Sequence, residues 1–380
     1  MKILVANIGS TTFKYRLIDT SAEETLAQGK AERIGMPGEQ FATYDSAIQY
    51  ALDQMVGAGK PLASLSDLSA ISFKAVHGGT CTGARIVDDS VLAALEEFTF
   101  YAPAHNIPYL AAMRAFAKTV PTVPLVAVFE TAFFQHLDEA TVTYAVPYEW
   151  KQDYGIRRYG FHGASHRAAS ERVRTLTDGK AKRHISCHLG GSSSLAAVLD
   201  GVAIDTTFGI SPQSGLPQNN RVGDIDVFAV LEMMKRLSLG VDEMAALLSS
   251  KAGLAGISGG SGDVRDLLSA AIAGDDRSRL ALDVYARSAR NYIAQFYVAL
   301  GGLDVLSFTG GIGENSPELR AEICKGLDVL GIQIAPELNA VAKGEAWLER
   351  PGASVRILVM PADEESIVAR ASAELLSSKE

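Results

Sequence analysis

The chain has 380 residues, 47% hydrophobic and 21% charged, a globular balance at a length beyond one compact domain, so two domains are expected. A formal charge of −9 with no basic stripe argues against nucleic-acid binding and leaves a small molecule as the default partner. Three scattered cysteines without Cys-x-x-Cys spacing argue against a disulfide framework or thiolate metal site, and no apolar run reaches membrane-spanning length, so a cytoplasmic protein with no membrane partner is expected.

Apolar β-rich runs alternate with helical patterns along the chain, which marks an α/β fold. The first run, "KILVAN", passes through the polar knot Gly9-Ser10-Thr11-Thr12 into "KYRLI", a strand-turn-strand pattern. "AISFKAV" holds Lys74 inside an apolar strand just before "VHGG", an expensive place for a charge unless it reaches a partner or a cleft. "LVAVF" ends at Glu130, a carboxylate at a strand end, where it lines a cleft or merely caps a surface helix.

In "RRYGFHGASHRAASERV", residues 157–173, His162 and His166 are four apart, the spacing of a metal pair on a helix. Gly163 between them puts the predicted helix start near Ser165, so the two rings are expected to differ in role. His166 reads as a structural hydrogen-bonder, and His162, in the Gly-flanked loop, as the contact for a reacting group.

Residues 184–205, "HISCHLGGSSSLAAVLDGVAID", echo the opening: an apolar strand, a small polar knot, a second apolar strand. Asn7 precedes the first knot as His188 precedes Gly190-Gly191-Ser192. A duplicated core with one knot from each copy facing a shared cleft is one reading, and chance similarity of Gly-rich hairpins the other. Glycine lets backbone N–H groups approach an anion, so two such knots could grip a polyphosphate. Neither a Walker-type Gly-x-x-x-x-Gly-Lys-Ser/Thr nor a Gly-x-Gly-x-x-Gly follows any strand.

Further along, Arg221 stands in "GLPQNNRVGDID", a loop of turn formers, and "DVFAVLEMMKRL" and "RLALDVYARSARNYIAQFYVAL" read as helices. "VLSFTG" runs into Gly310-Gly311-Ile312-Gly313, with Ser316 as a helix N-cap and Pro317 in its first turn, an order that suits a nucleotide at a helix N-terminus. "VRILVM" precedes Glu364, which either faces a cleft or opens the helix "EESIVARASAELL".

Taken in order, "NIGSTTFKYRL", "VHGG", "APAHNIP", "VFETAF", "YGIRRYGFHGASH", "HLGGSSSLAAV", "RVGDID", "GISGGSGDVRDL", "TGGIGENSPELR" and "DEESIVAR" resemble the acetate and propionate kinases, the carboxylate kinase branch of the sugar-kinase, heat-shock ATPase and actin superfamily. The resemblance implies an α/β fold of two duplicated actin-like, ribonuclease H-like domains with an interdomain active-site cleft. It implies an N-terminal domain of residues 1–131 plus 365–380 and a C-terminal nucleotide-binding domain of residues 132–364. The implied reaction is direct in-line transfer of the ATP γ-phosphoryl group to a short-chain carboxylic acid, giving an acyl phosphate, with Mg²⁺ as cofactor and a homodimer as the assembly.

By position in the family motifs, the resemblance assigns Arg221 and His162 to the phosphoryl in flight, with Arg221 also orienting the acceptor, and His105 to the family's active-site histidine. Asn7, Glu130 and Glu364 match positions that organise Mg²⁺ and its waters. Ser10 and Thr12 become supporting donors beside Asn7. Lys74, Val76, Ala104, Phe161 and Pro212 match the acceptor pocket. Gly190, Gly191 and Ser192 fall on the phosphate loop. Asp263, Val264 and Arg265, with Gly311, Ile312, Gly313 and Asn315, match the adenosine pocket.

The departures are specific. Lys74 stands where the family has a forked arginine, Glu130 where it has aspartate, His188-Leu189-Gly190-Gly191-Ser192 for His-Leu-Gly-Asn-Gly, and Gln218-Asn219-Asn220-Arg221 for Met-Gly-Thr-Arg. Ala104 replaces a leucine at the acceptor's methyl end, so a larger acid is expected, and the polar run 218–220 points to a more polar one. A catalytically weak nucleotide-binding paralogue, acting as sensor or interaction module, is the alternative. Phosphorylation of a sugar hydroxyl needs an aspartate base with no candidate beyond the Glu130 site.

Overall fold

In the computed structural model, which describes residues 1–9 and 11–378, the opening run becomes β1 (Lys2–Ile8), paired antiparallel with β2 (Thr12–Asp19). Strands β3 (Glu24–Glu32), β4 (Ala70–Ala75), β5 (Ala84–Ile86) and β6 (Leu125–Phe129) complete a sheet of order β3-β2-β1-β4-β6-β5. Its middle strands β1, β4 and β6 run parallel and are covered on both faces, which explains their near-continuous apolar runs. Successive residues of β4 face opposite ways. Phe73 packs edge-on against Tyr109 and Phe116 of the helix Pro103–Thr119, whereas the Ser72 hydroxyl meets Ser372 at 2.8 Å on the helix Glu364–Ser377. Ile367, Val368 and Ala369 of that last helix are buried against this sheet. The compact unit therefore comprises Met1–Gln135 and Asp363–Glu380.

The second unit, His136–Ala362, contains β7 (Arg183–Leu189), β8 (Ser193–Leu199), β9 (Val202–Thr206), β10 (Val305–Thr309), β11 (Ala346–Trp347) and β12 (Arg356–Val359). Their order, β9-β8-β7-β10-β12-β11, reproduces the first sheet strand for strand. The pairings repeat too: β7, β10 and β12 are parallel, β8 and β11 antiparallel to their neighbours. Even the irregularity recurs, at Leu17/Ile18 between β2 and β3 and at Ala197/Val198 between β8 and β9. The hairpin echo in the sequence is thus the visible part of a whole duplicated sheet. The helix Asp276–Ala299, capped by Asp275, buries Leu282, Tyr285, Ile293 and Phe296 in this unit's core, each large side chain contributing about 1.5–3 kcal/mol. The helix Gly163–Leu176 sets Ala169 and Val173 against Val305, Leu358 and Met360.

Three local expectations change. The helix at 163–176 begins at Gly163 rather than near Ser165, with His162 itself as cap. Gly310–Asn315 forms a short helix of its own before the Ser316-capped helix Pro317–Cys324. The edge strands β3, β5, β9 and β11 have no counterpart among the predicted strands. Among the described residues, no helix is long and apolar enough to cross a membrane.

Candidate functional site

In the first unit the predicted residues sit at strand ends and helix starts. Asn7 is next to last in β1 and faces Lys14 across the hairpin, and the adjoining Ile8 N–H donates to the Tyr109 hydroxyl at 3.2 Å. The turn closes through Gly9 N–H to the Thr12 carbonyl at 2.8 Å, while Ser10 lies outside the described residues. Lys74 projects on the face of β4 opposite Phe73 and forms an ion pair with Glu364, the first residue of the last helix. Burial depresses the ammonium's pKa, but Glu364, Glu130 and the Tyr109 phenol outweigh it, and the net shift is upward. Burial likewise pushes the Tyr109 phenol up to about 12. The half-buried lysine thus has the compensation its position demands.

Glu130 follows β6 directly, is 4% exposed, and donates its backbone N–H to the Ala75 carbonyl at 2.8 Å, so it is not a surface cap. Glu364 is not the cap of its helix either. Asp363 is, and it also binds Arg16, which leaves the Glu364 side chain to Lys74. Val76 is buried, Ala104 is exposed at the start of the helix Pro103–Thr119, and His105 is half-buried in its first turn. Among the described residues no three His, Cys, Asp or Glu side chains are close enough to enclose a metal. Two carboxylates are nonetheless a fitting partial donor set for Mg²⁺, which prefers hard oxygens and keeps several waters and phosphate oxygens.

In the second unit the histidines gather. His162 sits in the left-handed region at φ 59°, a strained conformation for a side-chain-bearing residue that recurs at functional sites. Its ring stacks on His188 at 4.2 Å between centroids and approaches Phe208 at 5.2 Å, with Phe161 packed edge-on against the same phenylalanine. His162 Nδ1 and His166 Nε2 both lie 2.8 Å from the Ser194 hydroxyl, and His166 Nδ1 lies 2.9 Å from Ser186. Burial, with His188 and His184 nearby, holds the His166 pKa well below the ordinary imidazole value, so this ring is neutral. As expected, the two rings differ: His166 is a buried hydrogen-bonder, and His162 caps the helix at the loop.

Arg221 lies against the 190–194 turn. Its Nη1 donates to Ser192 Oγ at 3.1 Å and to the Pro212 carbonyl at 3.4 Å. Burial lowers its pKa, and among the described residues it has no ion-pair partner. The loop carrying it is held by backbone: carbonyls of Gln218, Asn219 and Asn220 accept from Leu254, Ala255 and Ala252 N–H groups at 2.9, 2.9 and 3.1 Å. Gly253, at φ 61°, lets that approach happen, since a Cβ there would stand 2.0 Å from the Gln218 carbonyl oxygen. The fully buried Gln218 amide bonds Pro212 and Ser192, so it is not a partner for a polar acid.

The glycine segments converge in the same unit. Gly310, at φ 80°, abuts Leu189, where a Cβ would meet the carbonyl oxygen at 2.6 Å, so the Gly190 and Gly310 turns adjoin. Asn219 N–H reaches the Gly191 carbonyl at 3.3 Å. Gly313 is buried, Gly311 and Asn315 are exposed, and the Asn315 amide donates to the Gly311 carbonyl at 2.9 Å. Asp263 caps the helix Val264–Ile272 and chelates Arg265, whose hydrogen bonds hold the carboxyl at about 2.

Some contributors carry no sequence signal. Ser194 lay inside a predicted strand. Arg320, 1% exposed, donates to the Gly313 and Glu314 carbonyls at 2.7 and 2.9 Å and to Asn339, bracing the 310–315 turn from behind. An arginine one turn after a Ser-Pro cap reads as solvent-facing, and only its burial reveals the brace.

The sequence matches the Acetokinase family over residues 2–370. It is 39% identical to the acetate kinase of Fervidobacterium nodosum, covering 99% of this chain and 98% of that one, and 40% identical to the acetate kinase of Treponema denticola, covering 97% and 98%. Among solved structures, the acetate kinase of Porphyromonas gingivalis superposes with a TM-score of 0.89 at 32% identity, covering 99% of both chains. The propionate kinase of Francisella tularensis gives 0.90 at 30%, covering 98% of this chain and 99% of that one.

Proposed function

This chain belongs to the acetokinase family, and from that membership we propose that it transfers the γ-phosphoryl group of ATP in line to a short-chain carboxylic acid, giving an acyl phosphate. It is a phosphotransferase with a carboxyl group as acceptor. The observation that carries the finer reading is Arg221, a half-buried cation that no carboxylate neutralises among the described residues. Such a charge is costly to bury alone and is completed by an anion. Phosphoryl transfer needs positioning and charge compensation more than covalent chemistry.

In this reading Arg221 meets the transferring phosphoryl and the acceptor carboxylate, and His162 donates from Nε2 to a phosphoryl oxygen. The Ser194 hydroxyl has one proton. If it donates to His162 Nδ1, His166 gives its own Nε2–H to Ser194, and His162 is left as the Nε2–H tautomer. Gly190 closes the turn through its own N–H, which leaves Gly191 and Ser192 to offer backbone donors to the phosphates, and Asp263, Val264, Arg265, Gly311, Ile312, Gly313 and Asn315 enclose the adenosine. Glu130, Glu364 and Asn7 would hold Mg²⁺, which when bound shields the phosphate charge. For the acid, Lys74, Val76, Ala104 and His105 are the contacts proposed in the first unit and Phe161 and Pro212 those in the second, and the small Ala104 side chain leaves room for an acid longer than acetate. The protein acts in the cytoplasm as a homodimer, for which the bare apolar side of the helix Val227–Leu237 supplies a surface.

Hydroxylamine trapping tests the reaction. With ATP, Mg²⁺ and a panel of acetate, propionate, butyrate and hydroxy acids, wild-type protein yields hydroxamate and Arg221→Ala does not. Nucleotide binding without hydroxamate from any acid would instead establish the sensor alternative, and clear preference for acetate would refute the larger pocket.

A further inference from the structure

We propose that Ser192 and Gln218 are positioning residues that hold Arg221 side-on to the reacting oxyanion. The inference rests on Arg221 acting as proposed above. Three oxygens gather at one nitrogen of its guanidinium: Ser192 Oγ at 3.1 Å, the Pro212 carbonyl at 3.4 Å and Gln218 Oε1 at 3.5 Å, all on Nη1. A guanidinium carries five N–H donors in a rigid fork. With Nη1 held, the edge formed by Nε and Nη2 remains, and among the described residues neither atom donates to the protein. That edge matches the spacing of two oxygens of a carboxylate or phosphoryl group.

The clamp itself is directional. Gln218 is fully buried, and its Nε2 donates to the Pro212 carbonyl at 2.9 Å, which turns Oε1 toward Ser192 and Arg221. Ser192 spends its one hydroxyl proton on Gln218 Oε1 at 2.7 Å, so its lone pair faces Arg221. The Ser192 side chain therefore serves the arginine, and the Gly191 and Ser192 N–H groups are left to serve phosphate. Flipping the Gln218 amide would break both of its hydrogen bonds at once.

The test compares Ser192→Ala, Gln218→Met, their double variant, Ser192→Thr and Arg221→Lys in steady-state hydroxamate formation, with thermal midpoints confirming folding. Each single loss lowers kcat roughly ten- to hundredfold, as expected for a hydrogen bond to a charged group, with KM for ATP near its wild-type value. The double variant loses less than the product of the singles, because both act through one guanidinium. Ser192→Thr, which keeps the hydroxyl, retains the kcat that Ser192→Ala loses. In an Arg221→Lys background, Gln218→Met has little further effect. Wild-type kcat in both single variants, a fully multiplicative double, or a loss confined to KM for ATP overturns the proposal alone. A wild-type protein that forms no hydroxamate overturns the functional reading and the proposal with it.

Discussion

His162 Nδ1 and the Ser194 hydroxyl stand 2.8 Å apart, and the same oxygen is 2.8 Å from His166 Nε2. One hydroxyl thus links a strained loop histidine to a buried neutral one. Ser194→Ala removes the link and leaves polar ring atoms short of a partner, which costs about 1–3 kcal/mol. Activity is expected to fall roughly ten- to hundredfold at saturating substrates, and kcat measured beside KM for ATP checks that the loss is in turnover.

Lys74 faces both Glu364 and Glu130. Lys74→Met removes the ammonium that both carboxylates face, and loss of this half-buried ion pair costs about 1–3 kcal/mol. Urea unfolding at pH 8 should show that loss. Wild-type stability in the variant would contradict this account.

Gly253 is the contact on which the Arg221 loop is seated, since an added Cβ would stand 2.5 Å from the Arg221 carbonyl oxygen at φ 61°. Gly253→Ala carries a backbone penalty of about 1–3 kcal/mol and must shift the loop. The expected result is a lowered melting midpoint together with a loss of kcat on the order of tenfold, because misplacing a positioning group is punished steeply. The substitution Gly260→Ala, where a Cβ meets open space, is the matched control and leaves both unchanged.

His184, bonded to Ser307 at 2.8 Å, is pushed down to about 3 by burial. Its folded pKa lies below the ordinary 6.5, so its contribution to stability is complete above that value and is lost as pH falls toward 3. Between pH 7.5 and pH 5 the loss amounts to about 2 kcal/mol. His184→Gln removes one titrating group and should lessen the dependence of the urea midpoint on pH over this range, leaving the part that the likewise depressed His166 contributes.

Phe228, 75% exposed, shares the helix Val227–Leu237 with exposed Val227, Leu231 and Leu237, and no residue of that helix is buried. A bare apolar helix side of this kind marks an interaction surface. If it joins two copies, light scattering gives twice the chain mass for wild type and the single chain mass for Phe228→Glu. Equal masses for the two would remove this helix from the interface.

Most of the predicted strands were legible because their apolar runs are near-continuous and buried on both faces, as in "AISFKAV" and "HISCHL", while "KYRLI" was legible by its alternation. The edge strands were not. "ETLAQGKAE" alternates weakly and is mostly exposed, while β5 and β11 have three and two residues, too few for any period. Site residues at the ends of predictable strands, such as Glu130, could be named because strand ends are read directly from hydrophobicity. Gln218 was legible as a polar loop residue, but its hold on Arg221 was not, because that depends on Pro212 and Ser192, brought beside it by the fold. Lys74 was legible as an anomaly, and only the return of residue 364 to β4 explains it.

The helix Glu364–Ser377 covers the Ser72 side of a sheet whose other strands lie within the first 129 residues. During synthesis the first unit therefore emerges with one face of its sheet bare and the Lys74 ammonium unmatched by Glu364. The second unit, one continuous segment of 136–362, contains every strand of its own sheet and needs no element from beyond that segment to close it. The later-made half can reach its native form first, and the earlier-made half waits for the last helix. Truncation before residue 364 would accordingly fall hardest on the sheet at the opposite end of the sequence.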